Sequence, residues 1–161
     1  MRRLSKYILI IFLMTVSYLF AQDPYLGYWE TPDHKIVIQI EKQGDEYVGY
    51  LRWLQDPRYP KGDPMAGQIQ VDRNNPNPEL RHRRVLNLQV VGDLKLNKDK
   101  TKLTGGWIYD AWHGRKYYGR AKVINENTLS LRGSLDPWGI LGYSMKVKRV
   151  NLVDGNPVYV D

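Results

Sequence analysis

The sequence of 161 residues contains no cysteine. Disulfide bonds, thiolate metal sites, cysteine nucleophiles and lipid-modified cysteine anchors are therefore excluded. Histidine is also scarce, and His34, His82 and His113 match no spacing of a zinc site. The G-x-S-x-G motif of serine hydrolases is missing as well. We therefore expect no metal site, no cofactor and no enzymatic activity.

Phenylalanine occurs only twice, and both copies lie in the one long apolar run, residues 7–20. Three basic residues precede this run, and Ala21 follows it. A basic start, a short apolar stretch and a small residue at its end are typical of a secretory signal peptide. The run is shorter than the roughly 20 residues that a membrane-spanning helix needs. We therefore predict a signal peptide over 1–21 and a protein that is exported, to the periplasm or outside the cell, and does not span the membrane.

Neither sign of charge dominates once the signal peptide is removed. Three of the 24 basic residues leave with it, so the remainder carries a modest excess over 17 acidic residues. Export and this modest charge argue against nucleic acid as a partner, whereas an anionic component of the cell envelope stays open. Residues 22–161 are numerous enough for one domain that buries a core without disulfides.

Apolar and polar residues alternate with a period of two through most of 22–161, and no window shows a convincing helical period. Short strands separated by turn residues at even spacing are typical of an all-β barrel or sandwich. The predicted strands are 27–31, 35–41, 47–54, 86–96, 103–110, 115–123, 128–134 and 140–150. A further short strand is predicted at 158–160, and a turn of helix within 78–88.

One long connection, residues 55–84, interrupts this rhythm and contains five prolines. Proline lacks the amide hydrogen that a strand ladder needs, so this segment is not a central strand. A connection of this length is either functional, or disordered, or contains a missed element.

Counting through short antiparallel turns places every loop at one of two ends. The turns near 31–34, 111–114 and 136–139 share one end with the long loop, and those near 43–46, 97–101 and 125–127 share the other. First and last strands that meet imply a closed sheet. We therefore predict a single eight-stranded antiparallel up-and-down barrel.

The same alternation turns Arg149 inward near the closed end, where Trp29 of the first strand also lies. An inward guanidinium needs a partner, and an indole ring offers a stacking surface. We predict that Trp29 and Arg149 form a structural closure. Strict alternation also turns Trp107 inward, together with three small residues that favour a cavity: Gly105, Gly119 and Ala121.

The Gly27-Tyr28-Trp29 motif with a late inward arginine resembles the lipocalin/avidin (calycin) barrels. A closer resemblance, over about 25–150, is to the DUF2147 family of exported bacterial proteins. It is carried by N-N-P-N-P-E-L-R at 74–81, by G-G-W-I-Y-D at 105–110 with Gly114, Lys116 and Tyr117, and by L-R-G at 131–133 before I-L-G at 140–142. The resemblance implies export and a barrel, and no activity.

The aromatic residues at the open end are the strongest candidates for function. Trp112 and Trp138 lie at turn tips, beside His113, and Tyr109, Tyr117 and Tyr143 are expected just inside the barrel. Small barrels bind ligands at their open mouth. We therefore predict a binding site for a small, partly hydrophobic molecule there. The basic run 81–84 favours an acidic group on that molecule.

Three other interpretations stay open. The tip tryptophans seal the barrel under the long loop if the chain is a non-enzymatic interaction or structural module of the envelope with a plugged interior. Tyr109, Asp110 and His113 form an acid–base cluster if the chain is an enzyme. Oxygen donors in the long loop invite a calcium site, although Pro76 breaks the EF-hand pattern: they are Asp72, Asn74, Asn77 and Glu79.

Overall fold

The computed structural model describes residues 23–160. The predicted signal peptide, 1–21, lies outside the described residues. Among the described residues, no helix has the length and apolar character needed to cross a membrane.

Within residues 23–160, nine antiparallel strands form one sheet in which each strand pairs with the next along the chain. Strand β1 also pairs with β8, so the first eight strands close into a barrel, as the sequence predicted. The strands are β1 Gly27–Glu30, β2 Ile36–Gln43, β3 Glu46–Leu54, β4 Gln89–Leu96, β5 Leu103–Asp110, β6 Arg115–Asn125, β7 Thr128–Ser134, β8 Gly142–Val153 and β9 Asn156–Tyr159.

Strand β9 extends the sheet at the end of β8, where Tyr159 pairs with Val150. The Tyr159 hydroxyl donates to the buried carboxylate of Glu30, and His34 Nδ1 lies 2.9 Å from both groups. This bond to Glu30 is the main cause that raises the pKa of Tyr159. The predicted strand at 158–160 is therefore present, and it fastens the C-terminal segment to the first turn of the barrel.

The core fills the closed half of the barrel with side chains from all eight strands. Alternation explains why these positions point inward: in β8, Met145, Val147 and Arg149 share the inner face. The largest fully buried side chains include Trp29, Tyr47, Ile40, Leu51, Leu94, Leu103, Leu129 and Val147.

Strand β5 departs from the alternation that the sequence predicted. Its pairing with β6 shifts register between Leu103 and Gly106, where Gly105 adopts φ +81°. A bulge of this kind adds one residue and reverses the face of every residue beyond it. The predictions that Gly105 and Trp107 point inward are therefore wrong: Gly105 is exposed, and Ile108 packs against the core instead of Trp107.

Trp107 lies on the outer face of the barrel as a result. Its indole nitrogen donates to Asp93 at 2.8 Å, and the Lys116 ammonium lies 4.1 Å from its ring centroid. Gly119 and Ala121 are buried, as predicted.

The long loop, residues 55–84, has an ordered structure and packs on the barrel. Tyr59 is buried beneath the Arg73 guanidinium, which lies 4.3 Å from the ring centroid and donates two 2.7 Å hydrogen bonds to Asp63. Two bridges pair its segments, and a 3-10 turn at Pro78–Leu80 is the predicted turn of helix. The prolines of this loop interrupt strand hydrogen bonding, but they do not prevent the loop from packing on the barrel.

Candidate functional site

A cavity of about 930 Å³ occupies the half of the barrel opposite the core. Its rim is built from the β1–β2, β5–β6 and β7–β8 turns, which the strand count placed at one end. Residues 55–84 do not line it, so the described part of the long loop does not plug the barrel.

The cavity walls are mostly apolar because they are the inward positions of the alternating strands. Inward residues of β7 and β8 face each other across the pairs Leu131–Met145 and Gly133–Tyr143. The apolar lining comprises Ile36, Ile38, Leu51, Val90, Val91, Ile108, Leu131, Leu135, Leu141 and Met145.

Five of the six predicted ligand-binding residues border this cavity: Trp112, His113, Tyr109, Tyr117 and Tyr143. The prediction that the Tyr109 ring lies inside the barrel is wrong, because the bulge at Gly105 puts Tyr109 on the outer face with its cross-strand partner Lys116. Trp138 does not, although it belongs to the same end of the barrel. Its side chain projects from the β7–β8 turn and is 75% exposed. The turn count predicted the correct end for Trp138, but alternation ends with the strand and does not predict directions within a turn.

The three tyrosines differ in the availability of their hydroxyl groups. The Tyr109 hydroxyl donates to Asp72 at 2.7 Å and accepts from Asn75 at 3.0 Å. Tyr117 and Tyr143 make no side-chain hydrogen bond to any other residue in 23–160. Their hydroxyls are therefore free to bond a ligand.

Asp72 is fully buried and connects the long loop to the barrel. Besides the Tyr109 hydroxyl, it accepts from Arg83 at 2.8 Å and from Asn75 at 2.7 Å. This carboxylate is already bound by three hydrogen-bond donors, one of them a guanidinium, and residues 23–160 contain no cluster of three or more His, Asp or Glu side chains that could hold a metal ion. The calcium interpretation therefore does not fit the structure.

Arginines of the basic run 81–84 form hydrogen bonds within the long loop. Arg81 donates to the Asn75 carbonyl at 2.8 Å, and Arg83 is the partner of Asp72. Neither residue lines the cavity, so this run gives no support to an acidic group on the ligand.

Residues that carry the family resemblance hold the loop against the mouth. Gly114, with φ +63°, passes so close to Asn74 that a Cβ would lie 1.8 Å from its carbonyl oxygen. Asn74 also donates to the Trp112 carbonyl at 2.6 Å, and Gln70 accepts from the Trp112 indole at 3.0 Å. Trp112 is thereby fixed between the loop and the cavity. These motif residues have a structural role here.

The rim carries charges of both signs. Asp110 accepts from the amides of Trp112 and His113, and its second oxygen lies 2.7 Å from His113 Nδ1. Opposite, the Thr31 hydroxyl donates to Asp33, which lowers the pKa of that carboxyl. Lys35 also borders the cavity. The Tyr109 hydroxyl faces Asp72 rather than this pair, so the predicted acid–base cluster is not assembled.

Trp29 and Arg149 are cross-strand partners at the closed end, and the guanidinium lies 4.2 Å from the indole centroid. Gly27 leaves room for it, because a Cβ there would lie 2.8 Å from Arg149 Nη1. The guanidinium donates to three carbonyls, those of Pro24, Leu26 and Glu126, at 2.7–2.9 Å.

Alkaline pH is expected to loosen the loop through Tyr109. Burial and the hydrogen bond to Asp72 raise the pKa of Tyr109 from 10.0 to about 12. The folded state therefore favours the neutral phenol, and this contribution is complete below pH 10 and lost between pH 10 and 12. We expect denaturant titrations of the wild type to lose more stability over this range than those of Tyr109→Phe. Parallel curves for the two proteins would contradict this role of the hydroxyl.

The sequence did not single out the β1–β2 turn, which supplies Thr31, Asp33 and Lys35 to the rim. The strand count had placed this turn at the open end, and that placement could have identified its residues as part of the rim. Ile108 was missed because the bulge at Gly105 reverses its face.

Comparisons with known proteins agree with this architecture. The family model for DUF2147, described as an uncharacterized protein conserved in bacteria, matches residues 27–149. Protein HP1028 from Helicobacter pylori, a solved structure described as belonging to the lipocalin family, is similar to this chain at 25% identity and a TM-score of 0.65. The similarity covers 79% of this chain and 83% of that one. No curated protein matches the chain significantly.

Proposed function

This chain belongs to the DUF2147 family, and we propose that it is an exported, non-enzymatic binding protein for a small, largely apolar molecule. The observation that carries this proposal is the open cavity of about 930 Å³, with its mostly apolar wall. Ligand pockets commonly have volumes of about 300–1,000 Å³ and combine apolar walls with a few polar groups. The likeness to a protein described as a lipocalin supports the same function.

The polar end of the ligand belongs at the rim. The free hydroxyls of Tyr117 and Tyr143 lie on one side of the mouth, and Lys35 lies on the β1–β2 turn. Asp33 and Asp110 balance the positive charge there. We therefore propose a ligand with an apolar body and one hydrogen-bonding head, and decanoate and 1-decanol are matched probes that differ only in that head.

Filling the cavity is expected to weaken binding. Met145 lines the cavity and is partly buried, so Met145→Trp places a large ring where the apolar body of the ligand binds. We expect calorimetric titration with either probe to show affinity lowered by about tenfold or more, because the apolar contact is lost. Wild-type affinity in a folded Met145→Trp protein would overturn the cavity as the binding site.

The control is Ser130→Trp, which adds the same ring on the outer face. Ser130 pairs with Lys146 and Lys122, whose side chains point away from the barrel interior. This variant is expected to bind both probes as the wild type does.

Tryptophan emission separates the two tip residues. A probe in the cavity contacts Trp112 and leaves the exposed Trp138 in water. The shift in emission on binding is therefore expected to disappear in Trp112→Phe and to persist in Trp138→Phe.

Export is proposed from the N-terminal sequence alone. Mass measurement of the protein isolated from its own cells tests it, since a cleaved signal peptide leaves a chain that begins near residue 22.

A further inference from the structure

Strands β6, β7 and β8 contain no acidic residue. Their register places the outward side chains in rows: Arg120 lies opposite Arg132, and Lys122 lies in one row with Ser130 and Lys146. The outward cations of these strands, which we call the cationic wall, are Lys116, Arg120, Lys122, Arg132, Lys146 and Lys148.

The cationic wall has one acidic cross-strand neighbour in 23–160, Glu30, which lies opposite Lys148. None of its six residues forms an ion pair with a carboxylate of residues 23–160. Arg120 and Arg132 face each other directly, an arrangement that disfavours a sheet. A surface of this kind attracts an anionic partner.

The turn at 135–141, which we call the apolar lobe, stands directly above the cationic wall. Its large side chains are exposed: Leu135 by 68%, Trp138 by 75%, Ile140 by 75% and Leu141 by 64%. Contiguous exposed apolar groups mark a site of interaction with a protein or a membrane.

Two arginines of the cationic wall stabilise the conformation of the apolar lobe. Arg120 donates to the Pro137 carbonyl at 2.7 Å, and Arg132 donates to those of Gly139 and Ile140. Asp136, the acidic residue of the lobe, accepts from two backbone amides of the same turn. These hydrogen bonds fix the conformation of the turn, and its apolar side chains therefore stay exposed.

We propose that the apolar lobe and the cationic wall together dock on the surface of a lipid bilayer that carries anionic headgroups. Tryptophan and an aliphatic residue at the tip suit the boundary between headgroups and acyl chains, and lysine and arginine beside them suit anionic phosphates. A soluble anionic polymer matches the wall but offers nothing apolar to cover Trp138 and Ile140.

The position of the lobe also favours a bilayer. Leu135 and Leu141 belong both to the lobe and to the cavity lining. Docking would therefore set the cavity mouth beside the acyl chains, and an apolar molecule would pass between membrane and barrel without crossing water.

The test measures sedimentation of residues 22–161, which contain the whole closed barrel, with vesicles of phosphatidylcholine alone or mixed with phosphatidylglycerol. We expect binding to the mixed vesicles to exceed binding to phosphatidylcholine and to fall with added salt. Both comparisons use the wild type, so they do not depend on how any variant folds. Absence of binding to the mixed vesicles would overturn the proposal.

Two variants separate the lobe from the wall. Trp138→Ser with Ile140→Ser removes the apolar tip, and a triple change of Lys116, Lys122 and Lys146 to Gln removes three cations that hold no lobe carbonyl. Each is expected to lower vesicle affinity by about tenfold or more. The matched controls, expected to bind as the wild type does, lie elsewhere on the chain: Val153→Ser with Val158→Ser, and Lys61, Lys98 and Lys102 changed to Gln.

A soluble polyphosphate distinguishes the alternative partner. If polyphosphate binds as tightly as the mixed vesicles and the lobe variant keeps full vesicle affinity, the partner is an anionic polymer and the bilayer proposal is wrong. Vesicle binding requires no molecule in the cavity, so its failure and the failure of the proposed ligand binding are separate results.

Discussion

Arg149→Ala is expected to lower the free energy of unfolding by about 3 kcal/mol, because three hydrogen bonds from a charged donor and a cation–π contact are lost together. The guanidinium joins Trp29 to carbonyls of the N-terminal segment and of the β6–β7 turn, so three parts of the closed end depend on it. For a domain of this size the melting temperature should fall by roughly 10 °C. Thermal and denaturant unfolding measure both quantities.

Two further substitutions test why Arg149→Ala loses stability. Arg149→Lys keeps the charge but loses the planar fork, and it should recover less than half of the loss. Lys146→Ala changes an exposed outward residue of the same strand and should cost about 0.5 kcal/mol or less. Melting of Arg149→Ala at the wild-type temperature would show that the closure does not depend on this residue.

Asp72→Asn is expected to detach the long loop and to lower the free energy of unfolding by about 2–3 kcal/mol. The substitution removes the charge that pairs with Arg83, and the new amide group meets the amide of Asn75. Breaking a fully buried ion pair costs about 3–5 kcal/mol, and the partial exposure of Arg83 places the expected loss just below that range. Hydrogen exchange should show lost protection across 55–84 before the barrel strands open.

The matched control is Asp45→Asn. Asp45 pairs with Lys95 on the surface, with 80% of its side chain exposed. The same chemical change there should leave the unfolding midpoint unchanged, since surface ion pairs contribute little. If the two substitutions lower the stability equally, the loss is caused by the change of charge alone, and the buried contacts of Asp72 do not hold the loop.

The strands were predictable from the sequence because alternation is a local property. The predicted bounds of 103–110 and 128–134 coincide with β5 and β7. Parity counted through short turns also predicted the closed barrel, the pairing of the first and last strands, and the end at which the mouth lies.

Trp107 shows where this local reasoning stops. The extra residue at Gly105 is invisible to a count of apolar and polar positions, since glycine fits either face. Asp72 shows a second limit, because its partners Tyr109 and Arg83 are distant in the chain and its burial follows only from the packed loop. Such contacts depend on the path of the backbone in three dimensions.

The sequence by itself determined the all-β class, the eight strands of the barrel, the orientation of Trp29 toward Arg149 and the end that carries the aromatic residues. Alternation and turn chemistry encode these features residue by residue. The tertiary structure decided that the upper barrel is open, that the Tyr109 hydroxyl bonds the loop while Tyr117 and Tyr143 face the cavity, and that Trp138 projects outward. Those outcomes depend on the register shift in β5 and on the packing of 55–84 beside the mouth, which arise only when distant segments meet.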